Sequence, residues 1–219
     1  MSVEIKNALV AGQWPAAMAD NSVEILSGLA HIVQKVSLDR QEPLETAAPG
    51  VFLSEVSTGL LTIRGNVNDA SLSNAVQNVL GCSLPAVLQS DTNGQVVSRW
   101  MAPDDWLISA PVDNLFQIEQ DLRQAVSGSF AAVNVTGGYC VLQLAGDDAI
   151  RVLKKSTPYD VHPGNLPPGK VVNSTFAKTQ ATIRALDEGY ELIVRRSFAD
   201  YVWTWLLVAA SEYGFSVTD

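Results

Sequence analysis

The chain has 219 residues, of which 47% are hydrophobic and 17% charged, enough apolar side chain for one sizeable core and too much for a disordered segment. With 14 Lys and Arg against 23 Asp and Glu its formal net charge is −9, so nucleic-acid backbones and anionic membrane surfaces are repelled on average. The N-terminus lacks the pattern of a secretion signal, no apolar run is long enough to span a bilayer, and Cys82 and Cys140 stand in unrelated contexts, which together predict a cytoplasmic protein with reduced thiols.

Residues 1–50 read as an N-terminal arm: a helical pattern over SVEILSGLAHIVQKV, with His31 on its surface, then the polar connector LDRQEPLETAAPG. GLLTIRG (59–65) has the β-branched character of a strand. After it, NDASLSNAVQNVLGC places Leu72, Ala75, Val76, Val79 and Leu80 at helical spacing and stops at Gly81. QVVSRWMAPDDWLISAP reads as two strands turning at APDD, and DNLFQIEQDLRQAV as an amphipathic helix. CVLQLAG (140–146) is again a strand, DDAIRVLKK a short helix, QATIRALDEGYELIV a hairpin turning at LDEG, and SFADYVWTWLLVAA a closing helix.

The second set repeats the first. Gly65 and Gly146, which close equivalent strands, are 81 residues apart, and the hairpin aromatics Trp106 and Tyr190 are 84 apart. The pattern predicts an α+β fold over 51–219 built from two related strand-helix-strand-strand-helix half-domains, about 51–130 and 131–219, sharing one core.

Each candidate chemical site has a plainer structural explanation. His162 lies two residues from Asp160 in a proline-rich loop with no third partner, which fits a histidine that orders local backbone. GNLPPGKV (164–171) imitates a phosphate loop, but Pro167 and Pro168 lack the N–H donors of a cradle and Val171 stands where a magnesium-binding hydroxyl belongs. Asp104 and Asp105 suit a hairpin turn, and Gly137-Gly138 precedes a strand instead of following one, so it reads as a turn. Two histidines and two cysteines without close spacing make no metal cluster, and the sequons at Asn134 and Asn173 are chance matches in a chain that is not secreted.

The closing helix is unusual. At about 100° per residue its polar positions, Asp200, Thr204 and Ser211, fall in one narrow sector, and the other directions are apolar, whereas the equivalent helix of the first half is amphipathic. One sheet covers only part of such a helix. Either it packs between the two half-domains, or it presents Tyr201, Trp203 and Leu207 to a partner chain. Ser197 is placed to cap it with Asp200 at the third position, so Arg195 and Arg196 precede a positive helix end, at a cost of about 0.3–1 kcal/mol per uncompensated charge. A carboxylate, on Asp200 or on another subunit, is expected to offset at least one of them.

RWMAPDDWLISAP, TPYDVHPGNLPPG and above all ELIVRRSFADYVWTWLL resemble the gamma subunit of heterotetrameric sarcosine oxidase, in order, from about residue 51 to residue 210. This chain differs in having Leu166 where an aromatic is expected after DVHP, Asp105 where many members have Glu, and an uncharged NVTGGYC. The resemblance implies a fold related to the folate-binding aminomethyltransferase (T-protein) domain of the glycine cleavage system. It further implies a non-catalytic, cofactor-free role beside alpha, beta and delta-type subunits in an oxidoreductase complex that demethylates sarcosine to glycine. FAD, FMN and NAD then belong to the two larger subunits, zinc to the smallest, and tetrahydrofolate takes the one-carbon unit. Arg195, Arg196, Tyr201, Trp203, Leu207 and His162 are the candidate partner contacts. The competing expectation is a free-standing folate-binding protein of the same fold.

Overall fold

The computed structural model describes Leu29 and residues 49–217, so the helix expected near 22–36 and His31 lie outside the described residues, except that Leu29 is fully buried. In chain order the elements are β1 (Val51–Glu55), β2 (Gly59–Gly65), α1 (Ala70–Leu80), β3 (Ser90–Asn93), β4 (Val96–Ala102), β5 (Asp105–Ala110), α2 (Leu115–Ala125), β6 (Phe130–Asn134) and β7 (Tyr139–Ala145). They continue with α3 (Ala149–Ser156), β8 (Val171–Phe176), β9 (Thr179–Ala185), β10 (Tyr190–Arg195), α4 (Ala199–Ala210) and β11 (Phe215–Val217).

Local signals set the boundaries. The Asp69 carboxylate accepts the Ser71 N–H at 2.8 Å and starts α1, whose buried stripe is Leu72, Ala75, Val76 and Leu80. Gly81 ends it in the left-handed region (φ 70°), donating its N–H to Gln77 O. After β7, Gly146 takes φ +100°, and a Cβ there would fall 2.4 Å from Gly50 O, so both the turn and the close strand approach require glycine.

Pairing sorts the strands into two sheets, β11-β1-β7-β10-β9-β8 and β3-β4-β5-β2-β6. The central hairpins follow the repeat: β2 and β4 flank β5, and β7 and β9 flank β10. The strand that precedes each repeat crosses to the other sheet. β1 pairs antiparallel with β7 (Leu53 opposite Leu144), and β6 pairs antiparallel with β2 (Ile63 opposite Ala132). This reciprocal exchange stitches the half-domains together and is invisible to local periodicity.

Four layers result. α1 and α2 cover the outer face of the five-stranded sheet through Leu61, Ile63, Trp106, Ile108, Leu115 and Leu122; α3 and α4 cover the six-stranded sheet through Leu142, Leu144, Val152, Ile183, Leu192 and Trp203. The inner faces meet through Leu60 and Leu107 on one side and Val141 and Ile193 on the other. Beside this apolar patch Arg99 on β4 grips Glu191 on β10 with two hydrogen bonds of 2.7 Å, and its third nitrogen donates to Ser109 Oγ at 3.0 Å. Arg184 of β9 donates to the same carboxylate at 3.1 Å. Asn173 is part of the same seam: its amide donates to Met101 O at 2.9 Å.

Candidate functional site

The RRSF segment joins β10 to α4. Arg195 closes the strand, Arg196–Phe198 forms a single tight turn, and α4 begins at Ala199. The expected Ser197 cap is not made: Phe198 occupies the cap position and no side chain caps the helix, because the tight turn moves the helix start beyond the serine. The Arg195 guanidinium lies over the Tyr139 ring, 4.6 Å from its centroid, so an aromatic face compensates this charge ahead of the helix. The turn Thr136–Gly138, which follows β6, packs against the 196–198 turn, and a Cβ on Gly137 or Gly138 would meet open space. Phe198 is 46% and Tyr201 39% exposed. One continuous surface therefore carries Tyr139 stacked with Arg195, Arg196, two aromatics and a bare glycine turn.

The rest of α4 corrects the sequence reading. It lies on the outer face of the six-stranded sheet beside α3, not between the half-domains. Trp203 is 0% exposed, packed with Val202, Leu206, Ala209 and Ala210, so it presents nothing to a partner; its bulk is what the core between α3, α4 and the sheet needs. Leu207 is half-buried against the same core, and Trp205 donates from Nε1 to Ser156 Oγ on α3 at 2.9 Å. A strip of Tyr201, Thr204 and Val208 remains exposed. The apolar character is consumed by two neighbours, α3 as well as the sheet.

His162 lies in the exposed loop after α3. Its N–H donates to Asp160 Oδ1 at 3.0 Å, Nδ1 accepts the Gly164 N–H at 3.1 Å, and its carbonyl accepts from Asn165 and Leu166. These bonds fold the loop so that Val161 and Leu166 enter the core. The N–H bonds of His162 and the Asn165 amide hold the Asp160 carboxyl below its ordinary value. The PPGK turn spends its donors internally: Gly169 N–H to Ala185 O, Lys170 N–H to Pro167 O, Lys170 Nζ to Asn165 O. It also braces the halves, since Gly169 O accepts from Ser90 N and Oγ. Asp104 takes φ +58° in the β4–β5 turn and accepts the Val67 N–H, and Asp105 pairs with Arg64 at 2.8 Å.

Among the described residues no group of three His, Cys, Asp or Glu is arranged to hold a metal, and no helix is long and apolar enough to cross a membrane. Both cysteines are buried and free. Burial, with Asp91 adding to it, pushes the Cys82 thiol up to about 11, and burial together with the hydrogen bond to Glu55 Oε1 at 3.0 Å pushes Cys140 up as well. Neither thiol is nucleophilic when folded: a thiol reagent at a pH of about 8 labels the denatured chain at both and the native chain at neither, and rapid native labelling of Cys140 would show its site to be open.

The description "Sarcosine oxidase, gamma subunit family" matches residues 64–212. Sarcosine oxidase subunit gamma of Corynebacterium sp. (strain U-96) is 28% identical over 161 residues, 71% of this chain and 75% of that protein, and the Arthrobacter sp. subunit is 27% identical over 177 residues, 77% and 84%. Among solved structures the fold is similar to a chain of heterotetrameric sarcosine oxidase from Corynebacterium sp. U-96 (TM-score 0.75, 24% identity, 89% of this chain and 98% of that one). It is also similar to the glycine cleavage system aminomethyltransferase T from Bartonella henselae (TM-score 0.56, 16% identity, 77% of this chain and 48% of that one). The expected likeness to the aminomethyltransferase fold thus holds, and with a family match over more than half its length the chain belongs to the sarcosine oxidase gamma subunit family.

Proposed function

We propose that this chain works as the gamma-type subunit of a cytoplasmic sarcosine oxidase, a non-catalytic piece that binds and braces the larger subunits while they oxidatively demethylate sarcosine to glycine. FAD, FMN and NAD reside on alpha and beta-type partners, zinc on a delta-type partner, and tetrahydrofolate receives the one-carbon unit there. The observation that carries the reading is the family match over 64–212. The chemistry of the described residues agrees with it: the paired carboxylates, the histidine loop and the lysine turn are each engaged in holding the fold. The contact surface is the start of α4, with Arg195, Arg196, Phe198 and Tyr201. Arg is enriched in such surfaces because its planar head pairs with carboxylates while stacking on aromatics.

The test is co-expression with the products of the neighbouring genes. A tagged form of this chain is expected to retain flavin-coloured partners with sarcosine oxidase activity, and the purified chain alone to be colourless and inactive. Tetrahydrofolate binding by the isolated chain would overturn the reading in favour of a free-standing folate-binding protein.

A further inference from the structure

The two sheets are built alike except at one place. In the six-stranded sheet β1 lies beside the central β7 and is itself covered by β11, which pairs with it in parallel, Val51 opposite Phe215 and Leu53 opposite Val217. In the five-stranded sheet β6 occupies the position of β1, beside β2, and nothing among the described residues pairs with its outer edge. Val135 N–H donates to Leu60 O, so the alternation of the β2–β6 ladder turns the backbone groups of Ala131 and Val133 toward β2 and those of Phe130, Ala132 and Asn134 outward. Among the described residues the outward Ala132 carbonyl is met only by a long side chain, Arg123 of α2, at 3.0 Å. Edge strands are ordinarily guarded by charge, proline or a bulge. Here the chain carries no charged residue from Gln124 to Gly146, and Val133 is 52% exposed. Two of the other edges are guarded: β3 carries Asp91, and β8 gives its Val171 N–H to Leu88 O. Beyond β6 the chain enters the Thr136–Gly138 turn, so this edge is continuous with the surface at the start of α4.

We propose that the outer edge of β6 accepts an extended, uncharged strand from a partner subunit, which completes a sixth strand as β11 does in the other sheet and displaces Arg123 from the Ala132 carbonyl. Backbone pairing supplies the affinity, and an apolar side chain against Val133 the fit. The proposal rests on the assembly reading above and names the contact within it.

Hydrogen exchange on the isolated full chain and on the co-expressed complex tests it. The amides of Ala132 and Asn134 are expected to exchange about tenfold or more slowly in the complex. Val133→Lys, a change at an exposed position, should leave the thermal midpoint of the isolated chain unchanged while weakening assembly about tenfold. A complex that forms with these amides as fast as in the isolated chain overturns the strand contact and leaves the assembly reading intact. Protection that appears in the isolated chain as its concentration rises overturns it in favour of a second copy, and failure of any complex to form removes both.

Discussion

Arg99→Met is expected to lower the unfolding free energy by about 3–5 kcal/mol, because it strands the Glu191 carboxylate between two sheets with Arg184 as its remaining partner. Glu191→Leu is expected to cost about as much, since it leaves two guanidinium groups facing each other without their shared anion. The double variant R99M/E191L removes both buried charges and lets Arg184, 12% exposed, turn toward solvent, so its loss should be smaller than the sum of the singles by more than about 1 kcal/mol. Urea unfolding of the four proteins reads this directly, and additive losses would show that the ion cluster does not act as a unit.

The cluster also sets a pH dependence. Burial by itself pushes the Glu191 carboxyl up, but Arg99 and Arg184 outweigh it and hold the group below its ordinary value. Burial works against the Arg99 charge too, yet an arginine keeps its proton. A carboxyl whose folded value is depressed contributes its stability above the unfolded value and loses it as pH falls through the folded one. The wild-type chain should therefore weaken through the acid range on this account, and Arg99→Met should flatten that part of the profile.

Short-range patterns carried much of this fold. Helical spacing located α1, α2, α3 and α4, and the turn residues at APDD and LDEG marked both hairpins. Most of what escaped was non-local. β1, β6 and β11 are short strands whose pairing depends on partners far along the chain, and the exchange of β1 and β6 follows from the topology of the whole, while β3 and β8 were missed although each forms a local hairpin with the strand that follows it. Arg99 and Glu191, 92 residues apart, look like ordinary surface charges in RWMAP and YELIV until the sheets stack. A signal was present: each is a charge within a strand made mostly of apolar residues. At the candidate surface, the sequence placed Arg195, Arg196 and Tyr201 on the outside but missed Phe198 and the Tyr139 stack, since the tight turn at 196–198 is set by tertiary packing.

Trp203 separates a core role from a contact role. Trp203→Ala should cost about 3–5 kcal/mol, the range for removing a fully buried aromatic, and any loss of assembly should track unfolding of the chain itself. Trp203→Phe should cost markedly less. The indole Nε1 has no hydrogen-bond partner, so phenylalanine removes an unsatisfied buried donor worth about 1–3 kcal/mol while keeping most of the ring's packing. Phe198→Ala and Tyr201→Ala, on the exposed start of the same helix, should change the stability of the isolated chain by about 1 kcal/mol or less and weaken the complex by about 2 kcal/mol or more. Thermal or urea unfolding of the isolated variants, set beside the affinity of each for its co-expressed partners, distinguishes the two roles. If W203A retained wild-type stability and lost only assembly, the tryptophan would belong to the interface after all, and the packing of α4 against α3 would have to open when the complex forms.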